Sequence, residues 1–396
     1  MKKAMSSRER MLGTMDYRET DHTPCSFMIF QNLFLRSRDQ EEYIKKEMDM
    51  GMDAVVNVGK LTHSIHKDAS IREWTEDIQG EKYFIRRVDT PRGPLTQKVI
   101  QKNGWPRKDH FPILDDWLIP RSKEVLVKPE EDLEKLPYLL GDFKKQDIDS
   151  LREEAAVAEK LATEHDLMQA AGLIGWGYNG IGWWTYQIAC VDMMGWLSGF
   201  EVPMMLSLTR PSIMEQYVST ISEWSIKQIE VYLDVTKADL IARRAWYETT
   251  EFWTPEAFRK IVAPTIRKEA SLVHQAGRKY GYIMTAAFLP ILDTILDIGI
   301  DVLIGLDPIE GKGTDMGKVK EKFLQQKKAV WGGVSGAITV ENGSARDTED
   351  AVKEALDILA PGGGFILSPV DNVSDDTDNA WKNTEVFLET WKKNRK

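Results

Sequence analysis

The sequence predicts an α/β fold, specifically a (β/α)8 TIM barrel carrying an inserted β-hairpin and connector. Three observations support this. Short apolar runs alternate with amphipathic helical segments along nearly the whole chain. The runs lack polar alternation, as strands buried on both faces do. Eight such runs, each followed by a helix except where the insertion intervenes, match a closed parallel barrel better than an open sheet. The alternative, an open doubly wound sheet, would favour a Gly-x-Gly-x-x-Gly turn after its first strand when it binds a dinucleotide, and none is present.

The elements follow in order. Pro24–Phe30 is the first strand, 39–50 a charged helix and Asp53–Val58 the second strand, together a βαβ unit. The pattern then breaks. Segments 82–87 and 95–101 flank Asp89-Thr90-Pro91-Arg92-Gly93, the mark of a hairpin with a Pro/Gly turn. We therefore expect one barrel domain over 1–396 with an insertion at about 60–147. Alternation resumes with a helix over 148–164 and a strand over 167–174, which runs into the Gly/Trp-rich turn 175–184. Helices are expected over 185–200 and 211–235, then a strand over 239–242 ending at Arg243-Arg244. The helix over 255–276 opens on Thr254-Pro255-Glu256, a hydroxyl cap followed by proline at the first helical position. The remaining strands are 280–285, 302–306, 329–331 and 365–367, with helices at 289–298, 318–326, 347–359 and 378–393.

Composition narrows the function. The chain has 396 residues and a formal net charge of −10. An acidic surface repels phosphate backbones and anionic lipid, so nucleic acid and membrane are poor partners and a small molecule is the expected one. No apolar run approaches the length of a membrane helix. The opening 1–10 is polar and basic, without the apolar segment of a secretion signal, and the two cysteines, Cys25 and Cys190, form no framework. A cytoplasmic location is expected.

In a barrel of this kind the active site forms at the C-terminal ends of the strands. That rule selects Asn57, the 175–184 turn with Trp176 and Tyr178, Arg243, Arg244, Trp246, Thr285, Asp307, Trp331, Asp371 and Asn372. Arg243-Arg244 is the sharpest feature, because a buried guanidinium needs a partner and suits bidentate carboxylate recognition. The pair contacts either a substrate or a neighbouring acid such as Glu248 or Asp307. Being adjacent in a strand, the two side chains must point to opposite faces, so only one faces the barrel interior. Asp371-Asn372 is either a site or a turn. Gly332-Gly333 and 362–364 read as tight turns in preference to phosphate loops. No histidine falls at a strand end, and His63 and His66 make only a weak metal motif.

Several blocks in order resemble one family. Ser7-Arg8-Glu9-Arg10-Met11-Leu12 followed by Asp21-His22-Thr23-Pro24, and Thr254-Pro255-Glu256-Ala257-Phe258 with Ala263-Pro264, are the first. Pro290-Ile291-Leu292, Gly299-Ile300-Asp301, Trp331-Gly332-Gly333 and the block from Gly363 to Pro369 follow. Together they resemble the uroporphyrinogen-decarboxylase (URO-D) superfamily. That superfamily holds porphyrinogen decarboxylases, zinc methyltransferases acting between methylcobalamin and coenzyme M, and demethylating methyltransferases. The resemblance covers nearly the whole chain. It departs from the family at the active site. Where the zinc methyltransferases carry His-x-Cys this chain has Ile283-Met284-Thr285, and where they carry a later cysteine it has Val370-Asp371-Asn372. No thiolate zinc site is expected, and any other metal stays open. The decarboxylases' Arg-rich segment is echoed only by Arg36 and Arg38, and their late histidine is absent.

The resemblance implies a methyltransferase moving a methyl group from a small, possibly aromatic donor to a corrinoid on a partner protein. Asp307, Glu248, Tyr282 and Asp371 are the candidates for activating the leaving atom. A decarboxylase or lyase on a small carboxylate is the alternative enzyme, and a non-catalytic corrinoid-binding barrel the third reading.

Overall fold

The computed structural model describes residues 4–62, 64–102, 105, 111–173, 188–310 and 313–395. Seven strands make one parallel sheet: β1 (Val55–Asn57), β6 (Met168–Ala171), β7 (Leu240–Arg244), β8 (Lys279–Ile283), β9 (Val302–Leu306), β10 (Ala329–Ser335) and β11 (Phe365–Val370). They lie side by side in chain order. A doubly wound sheet needs a point at which strand order reverses. There is none here, so the sheet is singly wound and curls as a barrel wall does. The inner face carries alternate residues, among them Met168, Leu240, Ala242, Ile304 and Trp331, in one buried cluster.

Where the sequence predicts an eighth strand, Pro24–Phe30 forms only isolated bridges, Cys25 to Leu367 of β11 and Ile29 to Asn372 just beyond it. The Ser26 N–H donates to the Leu367 carbonyl at 3.1 Å, but side chains take two other donors that a ladder would use. The Asp53 carboxylate accepts the Cys25 N–H at 3.0 Å, and Ser368 Oγ accepts the Met28 N–H at 2.8 Å. Pro24 has no N–H to offer. Toward β1 the segment is held by the Asp53 N–H donating to the Cys25 carbonyl at 2.8 Å.

The N-terminal helix α1 (Ser7–Met15) fastens the opposite end of the wall. Arg8 pairs with Asp239 at the start of β7, and Arg10 bridges Asp21 and Asp53. The capping signal at Thr254 holds, its Oγ1 accepting the Ala257 N–H at 3.1 Å. The helix it opens contains a π turn, Phe258–Val262, immediately before Pro264. Pro264 cannot supply an N–H to the turn before it, and a π turn re-routes that bonding.

Two sequence expectations are corrected. The hairpin is part of a larger antiparallel sheet, in the order β2 (Ser70–Ile78), β3 (Glu81–Thr90), β4 (Gly93–Ile100) and β5 (Ser122–Glu124). β2 escapes the sequence reading because most of it is exposed and charged. Gly332-Gly333 is not a turn but lies within β10, at a register shift against β9. A Cβ on Gly332 would lie 2.7 Å from the Leu306 nitrogen, so glycine is what lets the two strands approach. The three glycines 362–364 do form the turn into β11, all with positive φ.

Among the described residues, no helix is long and apolar enough to cross a membrane.

Candidate active site

The two arginines of β7 point to opposite faces and build two separate networks. Arg243 faces the helix layer. Its Nε donates to Glu248 Oε1 at 3.0 Å, and its Nη1 reaches Thr265 Oγ1 and Glu269 Oε1, both at 3.1 Å. Glu248 Oε2 accepts the Tyr282 hydroxyl at 2.6 Å. Glu269 accepts Ser225 Oγ at 3.0 Å and the Tyr280 hydroxyl at 2.6 Å. Arg243, Glu248, Glu269 and Tyr282 are all fully buried. Glu248 and Tyr282, read from the sequence as catalytic candidates at the barrel mouth, therefore lie with Arg243 behind the sheet. Tyr282 sits on β8 in the same parity as Tyr280, and alternation along the strand sends both rings toward the helices. This network clamps the wall to the helices carrying Ser225 and Glu269.

Arg244 faces the mouth. Its Nη1 donates to Asp192 Oδ2 at 2.6 Å, and its Nη2 spans both oxygens of Asp116 at 3.0 and 2.8 Å. The guanidinium carbon lies 4.3 Å from the Trp246 ring centre, 4.9 Å from Trp196 and 5.1 Å from Tyr247. Asp192 also accepts the backbone N–H groups of Trp246 and Tyr247, at 2.9 and 2.8 Å. Asp116 also accepts the Tyr247 hydroxyl at 2.6 Å and the Trp196 Nε1–H at 2.7 Å. The sequence reading offered Asp307 or Glu248 as partners. Arg244 instead finds Asp116, from the connection between β4 and β5 of the antiparallel sheet, and Asp192, which opens the helix Asp192–Ser198.

On the other side of the mouth the ends of β9 and β11 bring carboxyl groups together. Asp307 is almost wholly buried, and its Oδ1 accepts the N–H groups of Ile309 and Glu310 at 2.7 and 2.9 Å. Asp371 follows β11 in the left-handed region, φ 62°, an uncommon conformation for any residue with a side chain. Burial raises its carboxyl to about 6, with Glu310, Asp116 and Asp307 adding to the rise and Arg244 opposing it. Among the described residues it makes no hydrogen bond or ion pair. Burial, Asp307 and Glu251 also push the Glu310 carboxyl upward.

The other sequence-predicted residues are placed as follows. Asn57 is tied to the backbone: its Nδ2 donates to the Leu173 carbonyl and its Oδ1 accepts the Gly59 N–H. Trp331 donates from Nε1 to the Ser26 carbonyl at 2.7 Å. Both line a small cavity of about 40 Å³ with Met28, Tyr43, Glu47 and Leu173. Burial lifts the Glu47 carboxyl there to about 8. Thr285, just past β8, packs on Gly305, and its carbonyl accepts the Asp307 N–H at 3.3 Å. Asn372 donates to Gln31 Oε1 while its own Oδ1 is buried without a partner. Trp176 and Tyr178 fall outside the described residues, as does His63. Among the described residues no group of three His, Cys, Asp or Glu side chains is arranged to hold a metal ion.

The sequence reading missed Asp116, Asp192, Glu310 and Glu47. Asp116 and Asp192 stand at no strand end, and the signal that could have raised them is that a buried arginine requires carboxylates. Burial pushes the Glu47 and Glu310 carboxyls upward, and among the described residues they are tied to neither arginine of β7.

A curled parallel wall with polar groups gathered beyond its C-terminal edge defines a barrel-type enzyme scaffold. The uroporphyrinogen decarboxylase (URO-D) family profile matches residues 187–393, just over half of the chain. The chain belongs to that family. A comparison with curated protein sequences finds no match. Among solved structures, a methyltransferase from Methanosarcina mazei is similar over 98% of this chain and 99% of its own, at 16% identity and a TM-score of 0.57. A B12-independent methionine synthase from Shewanella sp. W3-18-1 covers 93% of this chain and 92% of its own, at 8% identity and a TM-score of 0.36. A 3-keto-D-glucoside 4-epimerase from E. coli covers 67% of this chain and 97% of its own, at 14% identity and a TM-score of 0.36.

Proposed function

We propose that this protein is a methyltransferase that moves a methyl group from a small methylated donor to a corrinoid carried by a partner protein, with Asp371 protonating the leaving atom. The observation that carries the proposal is the Asp371 carboxyl: directly after β11 at the barrel mouth, unpartnered among the described residues, and held near 6.

The chemistry follows from what methyl transfer needs. When the methyl carbon leaves, the electron pair of its bond to oxygen or nitrogen stays on that atom. A proton delivered there prevents a charged leaving group from building up. Asp371, protonated, gives that proton and becomes a carboxylate; the donor leaves as an alcohol or amine. The corrinoid, when bound, supplies the cobalt that accepts the methyl group. The described histidines, His22, His66, His165 and His274, do not stand at strand ends, so this reading assigns the corrinoid to the partner and the donor to this chain.

Decarboxylation fits less well. A carboxylate at the reacting centre would stand against Asp307 and Glu310, and like charges at close range repel. We further read the wall as a closed eight-stave barrel, with Pro24–Phe30 as the stave between β11 and β1, and 60–147 as an insertion into that single domain.

The test is a spectroscopic assay of cobalamin methylation with reduced cobalamin and a panel of methyl ethers and methylamines. Methylation is expected, with Asp371→Asn slower by about a hundredfold or more and the wild-type rate falling as pH rises through about 6. Release of carbon dioxide from a carboxylate without any cobalamin methylation would overturn the reading.

A further inference from the structure

Arg244 sits in a receptor that accepts one more carboxylate than Asp192 supplies. The donors are the Arg244 Nη2 edge, the Tyr247 hydroxyl and the Trp196 Nε1–H, walled by the rings of Trp196, Trp246 and Tyr247. One guanidinium nitrogen reaching both oxygens, with two further donors, is a complete set for one carboxylate. That carboxylate is now Asp116.

The two aspartates on Arg244 are held in different ways. Asp192 is wholly buried and accepts two backbone N–H groups from the chain just past β7, so it moves only if the strand end moves. Asp116 has a side chain 22% exposed. Its carboxylate receives hydrogen bonds from side chains alone: Arg244, Tyr247 and Trp196. It arrives on a single 3-10 turn, Asp116–Leu118, beside the antiparallel sheet. The side-chain partners of Asp116 lie 80 to 131 residues away in sequence, whereas the bonds of its own turn, Trp117 N–H to Asp115 and Ile119 N–H to the Asp116 carbonyl, fix the backbone and leave the carboxylate free to swing.

We propose that this receptor is a carboxylate-binding subsite, that Asp116 is its resident occupant, and that a small carboxylate ligand enters the mouth by displacing Asp116. The proposal names the anchoring group of the donor and rests on the methyl-transfer reading only for which end of the ligand reacts. Withdrawing Asp116 without replacement would leave a buried guanidinium edge, a phenol and an indole N–H unsatisfied, which is costly. A ligand carboxylate restores all three bonds, so opening is coupled to anion binding. The same step releases the connector turn from the barrel. The reacting end of the ligand then lies toward Asp371, whose carboxyl feels both Arg244 and Asp116. A carboxylate at the anchor and none at the reacting centre reconciles an arginine at the mouth with the acid cluster opposite it.

The experiment uses the full chain without corrinoid or methyl donor, so its outcome is separate from that of the methylation assay. Sodium benzoate, sodium acetate and the neutral isostere benzamide are titrated calorimetrically into wild type, Asp116→Asn and Asp116→Ala. Expected are saturable binding of the carboxylates to wild type, at least tenfold tighter binding to Asp116→Ala, and none of benzamide to any form. Equal affinity of wild type and Asp116→Ala, equal binding of benzamide, or no carboxylate binding to either would overturn the proposal. Should Asp116→Ala not fold, hydrogen exchange of the wild type decides. Benzoate is expected to speed exchange at 116–118 and in β5; unchanged or slowed exchange there overturns the proposal.

Discussion

Arg243 and Glu248 form an ion pair of which no part reaches solvent, with Nε to Oε1 at 3.0 Å, while the adjacent Arg244 turns the other way. A buried pair of this kind is often no more stable than a hydrophobic pair of the same shape. Removing one partner is another matter, because it leaves the other charge buried and uncompensated. Arg243→Met should therefore cost about 3–5 kcal/mol in denaturant unfolding. It strands both Glu248 and Glu269. Arg243→Lys should lower the melting temperature while leaving ligand binding at the mouth unchanged, since Arg243 lies behind the sheet. Altered binding with unaltered stability would contradict this placement.

The Asp371 carboxyl has a pH signature with a definite sign. Its folded value, about 6, is raised above the ordinary 3.8. The folded state thus holds the proton more tightly than the unfolded one, and stability falls as pH rises from about 4 to about 6. Asp371→Asn removes that loss and keeps a side chain tolerated at φ 62°. The variant should match wild type near pH 4 and exceed it by roughly 2–3 kcal/mol above pH 6.5. Parallel unfolding curves at the two pH values give the answer; equal stability at both would contradict it.

Glu47 makes the same argument at higher pH. Burial lifts its carboxyl to about 8 from 4.5, so it is protonated in the fold at neutral pH. Stability should decline from about pH 4.5 through pH 8 as the unfolded chain ionises and the folded one does not. Glu47→Gln should flatten that decline and cost little near pH 5. Denaturation midpoints at pH 5, 7 and 8.5 would show whether the slope belongs to this residue.

Gly332 lies in β10, between β9 and β11, with φ 150°, and a Cβ there would approach the Leu306 nitrogen to 2.7 Å. The two nearest atoms are Leu306 backbone, its nitrogen and its carbonyl oxygen, which cannot swing aside as a flexible side chain would; the Val370 side chain follows at 3.0 Å. Gly332→Ala should destabilise by about 2–4 kcal/mol, whereas Gly80→Ala, at φ 80° with open space around it, pays only for its backbone conformation. Comparable losses in the two variants would remove the case for close strand approach.

How much of this protein could be read from the chain alone follows from the range of the forces involved. Apolar runs, amphipathic periods, the Thr254 cap and the alternation that turns Arg243 and Arg244 apart are local, set within a few residues, and all were legible. So was family membership: the ordered blocks from Thr254 to Pro369 fall within the matched stretch 187–393. The failures share one cause. Pro24–Phe30 reads as a strand, but Asp53 and Ser368 capture its donors from 28 and 340 residues away. Gly332-Gly333 reads as a turn, but the neighbouring strand makes it a place of close contact. Glu248 and Tyr282 read as mouth residues, but strand parity and Arg243 hold them behind the sheet. The partners of Arg244 are 52 and 128 residues distant, on elements whose own sequence carries no sign of it. A buried guanidinium dictates that carboxylates must come. Only the packing of the whole chain decides which ones, because their approach is set by where distant elements dock and not by anything in the residues beside them.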